Sequence, residues 1–253
     1  MNDDLDNMRN APPTPEPKGP VSSRRPRWFL WVAAAGLVLA VAVVSHRAIL
    51  RAAANLLIVE IEPGFSDAVW LADGDHRFQT AADLYYEDPR RVILIGRSFP
   101  DRLVELGILP PKEEVARSRL EERGVPAGAI VFFGEKCRDI WETGRALKGW
   151  MVAHPRSRIL ILCEQFRSRQ TLLALEQVLD ADEIARLGIR PLRSYRYDET
   201  NWWKVRSGVK GFVSAWLGLW CVWAFGEPPQ RPEIWTVNEY EAEIARRIQG
   251  VSR

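Results

Sequence analysis

Several kinds of protein are excluded by what this chain has little of. It holds three cysteines (Cys137, Cys163, Cys221) and three histidines (His46, His76, His154) in 253 residues. None is spaced as zinc ligands are, and an odd, scattered cysteine set does not make a disulfide framework. Charge of one sign is also missing. Lys+Arg 35 against Asp+Glu 33 leaves +2, so no basic excess points to nucleic acid. No phosphate loop of the Gly-x-x-x-x-Gly-Lys-Ser/Thr type is present. Nor is there a Gly-x-Ser-x-Gly elbow, a His-Glu-x-x-His helix, a Cys-x-x-Cys pair or a Gly-x-Gly-x-x-Gly dinucleotide turn. No internal repeat appears.

What is there is globular: 47% hydrophobic and 27% charged residues, with 11 tryptophans, about three times ordinary usage. Residues 1–27 carry prolines at 12, 13, 15, 17, 20 and 26 and no apolar periodicity, the pattern of a flexible tail. From Trp28 to Ser45 no charged residue occurs. As a helix this run spans about 27 Å, close to a bilayer's hydrocarbon core. Trp28 and Trp31 sit where an interfacial aromatic belt belongs, with Arg24, Arg25 and Arg27 before the run and His46, Arg47 and Arg51 after it. The expectation is a single-pass inner (plasma) membrane anchor with a cytoplasmic N-terminus and an exported main domain. A cleaved signal peptide, with Ala52-Ala53-Ala54 as its processing site, is the alternative.

Residues 46–64 read as a juxtamembrane linker or helix. Beyond them, apolar runs recur at 68–72, 91–95, 129–133 and 158–163, with a weaker one at 189–192. They are continuous rather than alternating, as in strands covered on both faces. Helical patterns lie between them, at about 77–86, 112–123, 138–153, 166–178 and 180–187. Gly124 and Gly188 stand in helix-stopping positions, and Pro110-Pro111 precedes the 112–123 helix. The predicted fold class is α/β: a Rossmann-like parallel sheet sandwiched by helices, preceded by one N-terminal transmembrane helix.

In such sheets the working loops follow the carboxyl ends of the strands. Those loops hold Asp73, Gly74, His76 and Arg77; Gly96, Arg97 and Ser98; Glu135, Arg138, Asp139 and Glu142; and Gln165, Arg167 and Arg169. Interleaved arginines and carboxylates near helix N-termini suit a phosphorylated or otherwise anionic ligand. Solvated loop charges paired with each other are the bland alternative. Residues 211–225 form a second uncharged run, with Trp216, Trp220 and Trp223 on one helical face. Three readings suit it: a helix packed on the sheet, an interfacial helix on the bilayer, or a second span. Residues 227–253 close with Pro228-Pro229 and a charged amphipathic helix around 239–249.

The order of these features resembles the YdcF/SanA/ElyC family, a bacterial envelope-associated domain of unknown function. The resemblance covers residues 65–226. It is carried by SDAVWLADGDHRFQTAADLYYEDPRRVILIGRS, by Gly124-Val125-Pro126 before the third strand, and in part by EKCRDIWETG, where Glu135, Glu142 and Trp141 keep the acids and the aromatic. After the fourth strand the chain departs from the family's Thr-Ser-aromatic-His-x-x-Arg: Arg167 replaces the histidine and Gln170 the arginine. The resemblance implies a cell-envelope protein acting on a phosphorylated, lipid-linked cell-wall precursor. Arg77, Arg167 and Arg169 would grip the anion, and Glu135, Glu142 or His76 would move protons. It also implies the alternative of a non-catalytic module that has lost the family histidine and binds S-adenosylmethionine or another small anionic ligand. A guanidinium stays protonated and cannot replace a histidine as general base. No metal and no nucleic acid is expected.

Overall fold

The computed structural model describes residues 28–62, 64–73, 76–228 and 244–246. The expected tail at 1–27 and most of the expected helix at 239–249 lie outside the described residues. The chain divides between His46 and Arg47 into two compact units. The boundary falls within helix α1 (Trp28–Asn55). The charge-free run 28–45 is helical throughout, and Trp31, Leu37 and Val44 are exposed.

The second unit holds the sheet. Its strands are β1 (Ala68–Leu71), β2 (Val92–Ser98), β3 (Ile130–Cys137), β4 (Ile159–Glu164) and β5 (Leu187–Leu192). They run in the order β3-β2-β1-β4-β5, every neighbour parallel. Helices cover both faces, so the second unit is an α/β, Rossmann-like domain. The near-continuous apolar strands explain this. Val69, Leu71, Ile93, Ile95, Leu160 and Leu162 point to one face, against α2 (Arg77–Glu87) and α4 (Lys112–Glu121). A short helix, α3 (Arg102–Glu105), precedes α4. The alternate residues Trp70, Leu94, Phe133 and Ile161 point to the other face, against α5 (Ile140–Ala153) and α6 (Ser168–Glu176). With side chains alternating along each strand, burial on both sides leaves no polar stripe.

The observed boundaries differ from the expected ones in two places of consequence. Strands β2 and β3 run past the expected ends, so Gly96, Arg97, Ser98 and Glu135, expected on loops, lie within strands. Helix α7 (Ala181–Ile184) ends early, and Gly188 does not stop it. Gly188 lies buried within β5, paired with Leu160. Burial of Leu187 and Ile189 against β4 outweighs the local helical pattern. Gly124, by contrast, does follow α4 at φ 81°, its N–H donating to the Glu121 carbonyl.

The last described long helix, α8 (Arg206–Phe225), extends the 211–225 run upstream. It packs on other helices rather than on the sheet. Ala215 and Leu219 cluster with Phe166, Trp202, Ala54 near the end of α1 and Leu57 just after it; Val222 meets Trp141 and Ala174. Its opposite side exposes Val213, Leu217, Trp220, Trp223 and Phe225. Among the described residues it is the one helix long and apolar enough to cross a membrane by length and composition.

Candidate functional site

The strand order reverses direction at β1, with β2 on one side and β4 on the other. In open α/β sheets the crevice beyond the strand ends at such a switch point is where ligands bind. A cavity of about 650 Å³ lies there, lined by residues at and just beyond the ends of β1, β2, β3 and β4. It brings together Asp73, Gly96, Arg97, Ser98, Arg138, Asp139 and Arg167 of the residues expected from sequence. Lys112, from the first turn of α4, adds a fourth cation.

The cations around this cavity are pre-positioned. The Arg138 guanidinium stands 4.8 Å from the Phe99 ring centroid and that of Arg97 5.6 Å from Phe132. Arg167 is ion-paired with Glu164 at 3.2 Å, and the other Glu164 oxygen accepts from the Tyr197 hydroxyl at 3.2 Å. The first turn of α5 also borders the cavity through Ile140 and Trp141. The positive end of that helix dipole therefore faces the same space. Four cations stand against two carboxylates, Asp73 and Asp139. Asp139 is the N-cap of α5 and accepts from the Glu142 N–H at 2.9 Å.

Two thiols complete the lining, Cys137 at the end of β3 and Cys163 in β4. Burial, then the nearby Asp73 and Glu164 charges, push the Cys163 thiol up to about 12. Burial also raises Cys137, partly offset by a hydrogen bond with Thr143. Their strands are three positions apart in the sheet, about 14 Å at the usual spacing, too far for a disulfide.

The remaining expected residues fall elsewhere. His76 and Arg77 lie beyond Asp73, in a separate cavity of about 480 Å³ with Glu164 and Tyr197. Arg77 is paired with Asp73 at 3.3 Å. His76 adopts φ 59° at the start of α2. Glu135 is exposed and lines a third cavity, of about 360 Å³, alongside Arg97 and Ser98. Gly74 lies outside the described residues.

Three expected site residues line none of these cavities. The Glu142 carboxylate accepts the Arg138 N–H at 2.7 Å, closing a capping arrangement at the head of α5. The buried Gln165 amide donates to Glu199 at 2.5 Å, and Arg193 pairs with the other oxygen of that buried carboxylate at 2.8 Å. Arg169 donates through its guanidinium to the carbonyls of Leu56 and Ile58, and Ser168 beside it accepts the Val59 N–H at 2.8 Å. This pair fastens the segment after α1 to the head of α6.

Sequence reading named Cys137 and Gln170 without assigning them to a site and did not single out Lys112, Cys163, Thr143 or Thr171; all six line the main cavity. Cys137 ends β3 and Cys163 is the second-last residue of β4, so both could have been found from the strand ends. Lys112 could not, since it begins a helix and reaches the site only through the packing of α4. Among the described residues no cluster of three or more His, Cys, Asp or Glu is placed to hold a metal ion.

Compared with known proteins, the chain matches no family model, no curated protein and no solved structure.

Proposed function

We propose that this is a membrane-anchored protein of the bacterial cell envelope that binds a phosphate-bearing small molecule at the switch-point cavity. The single observation carrying the reading is the gathering of four cations on its lining, Arg97, Lys112, Arg138 and Arg167, against Asp73 and Asp139, with Glu164 and Asp101 outside the lining paired to Arg167 and Lys112. Guanidinium groups grip phosphate in bidentate fashion, and those held in place beforehand lose less freedom on binding. The envelope role and the phosphorylated, lipid-linked precursor as ligand class come from the resemblance to the YdcF/SanA/ElyC family. S-Adenosylmethionine is the second ligand on that ground, but its sulfonium fits a site with a net positive lining less well.

Binding is favoured over catalysis by where the proton carriers stand. Glu142 is engaged in capping, Glu135 opens on a neighbouring cavity, and His76 lies across Asp73 in another. Arg167, in place of the family histidine, cannot take up a proton.

The anchor is the uncharged helical run 28–45, with the N-terminus cytoplasmic and the sheet domain exported. The exposed apolar side of α8 supports a second contact, lying in the bilayer interface rather than spanning it. Its charges, Arg206 and Lys210, are confined to the first turns, while Leu217, Trp220, Trp223 and Phe225 occupy the rest of the exposed side.

The test is calorimetric titration of the full-length chain in lipid nanodiscs. The panel holds orthophosphate, undecaprenyl phosphate, a nucleotide sugar and S-adenosylmethionine. Binding of the phosphate compounds that falls at least about tenfold in Arg138→Ala and in Arg167→Ala supports the reading. No heat with any member of the panel overturns it.

A further inference from the structure

The smaller cavity beside the cationic one has a different chemistry. Phe99, Pro100, Val104 and Pro111 give it an apolar wall, while its charged members balance, Asp101, Glu113 and Glu135 against Arg97, Lys112 and Lys136. Arg97, Ser98 and Lys112 belong to both cavities. The walls come from two pieces of chain. One is the excursion 99–113 between β2 and α4. The other is an irregularity near the end of β3: Gly96 pairs with Phe133 and Ser98 with Cys137, so three residues of β3 stand opposite one of β2. Gly134 at φ 73° and Lys136 at φ 49° carry the distortion. Non-glycine residues rarely adopt such angles, and bulges of this kind re-aim side chains at strand ends. Here they turn Glu135 and Lys136 into the cavity wall.

We infer that this cavity receives the organic part of the ligand, and that the ligand is therefore a phosphate ester with an apolar alkyl or aryl group. The inference rests on the phosphate-binding reading of the neighbouring cavity. Three observations carry it. The shared Arg97, Ser98 and Lys112 make the two spaces contiguous, so one molecule can occupy both. Asp101, Glu113 and Glu135 offset Arg97, Lys112 and Lys136 there, and Lys112 pairs with Asp101 at 3.9 Å, so this space has no cationic excess for a second phosphate and is not the other half of a diphosphate site. Asp101 also caps α3 through the Val104 N–H at 3.2 Å, which holds its charge there. Finally, Pro100 and Pro111 lack N–H donors, and Phe99 and Val104 offer no polar side-chain atom. Hydroxyls of a polyhydroxylated group turned toward that wall would lose hydrogen bonds to water without replacement. The same excursion exposes Leu103, Leu106, Ile108 and Leu109, continuing the apolar surface outward for a group longer than the cavity.

The experiment is calorimetric titration of the full-length chain in nanodiscs, with empty nanodiscs as blank, against orthophosphate, butyl, hexyl and phenyl phosphate and glucose 6-phosphate. Affinity should rise up to about fourfold per methylene from butyl to hexyl phosphate. Phenyl phosphate against the alkyl esters tells a planar group from a chain. Glucose 6-phosphate should bind no better than orthophosphate. Val104→Glu should bring the ratio of hexyl phosphate to orthophosphate affinity down to about one, and Val104→Ser should lower it partway. Equal affinities for all five, or a gain for glucose 6-phosphate equal to that of the hexyl ester, overturn this inference and leave the phosphate site standing. No binding of orthophosphate or any ester overturns both.

Discussion

Arg167 and Arg169 stand two positions apart, yet their side chains lead different lives. Arg167 is exposed, ion-paired with Glu164 and on the cavity, whereas Arg169 donates to main-chain carbonyls of the segment after α1. Arg169→Ala should therefore lower stability, by about 1–3 kcal/mol for charge-assisted bonds to two main-chain carbonyls, one exposed and one partly buried, and should leave phosphate affinity within about twofold. Urea melts beside calorimetry separate the two effects. Cys163 offers a pH-dependent prediction. Its thiol is pushed up to about 12 from 9.0 in the folded chain. Its contribution to stability is thus complete below pH 9 and is lost as pH rises from there toward 12, where the unfolded chain ionises first. The urea midpoint should fall between pH 9 and 10.5, and less steeply in Cys163→Ala. At pH 8 the folded chain should be alkylated at the exposed Cys221 long before Cys163, which holds about a thousandth of an ordinary cysteine's thiolate.

At the scale of elements, the end of β3 and the head of α5 work as one device. Asp139 and Glu142 cap α5 between them, which holds Arg138 at the mouth of the cavity. Asp139→Ala should cost about 1 kcal/mol of stability and weaken phosphate binding as Arg138 loses its setting. Gly134 cannot be replaced cheaply. Its φ is 73°, and an added Cβ would stand 2.9 Å from both Ala146 Cβ and Cys137 Sγ. Gly134→Ala should destabilise by about 1–3 kcal/mol, read by urea denaturation, and should disturb the apolar cavity before the cationic one. The strands and most helices were legible because apolar runs and helix stops are local signals. The irregularity in β3 was not, since nothing in Gly134-Glu135-Lys136 distinguishes an ordinary strand end from a bulged one. The misplaced stop at Gly188 has the same root: only burial against β4 makes that residue part of a strand.

At the scale of the whole molecule, the open question is what covers the exposed side of α8. Cys221 is exposed on α8, while Cys137 and Cys163 are buried. A polarity-sensitive fluorophore attached there in the full-length chain should shift to the blue in liposomes and be quenched by lipids brominated near the headgroup. Emission typical of water would remove the interfacial contact. Trp220→Ser with Trp223→Ser should reduce the shift. Orientation is checked separately: a C-terminal alkaline phosphatase fusion should be active, and a green fluorescent protein fusion dark, if the sheet domain is exported.

The strand–helix alternation, the uncharged run at 28–45 and the arginines after the strands could all be read from residues in order, because each depends on neighbours a few positions away. The membership of the site could not. Lys112 and Arg138 share a cavity only because β2 and β3 lie side by side, and Asp73 lines it together with Arg167 only because β4 pairs with β1. The same packing removed Glu142, Gln165 and Arg169 from the site by giving their side chains nearer partners. A charged side chain binds whatever lies within about 3 Å of it. Which groups those are is a property of the folded chain's three-dimensional neighbourhood, and spacing along the sequence does not contain it.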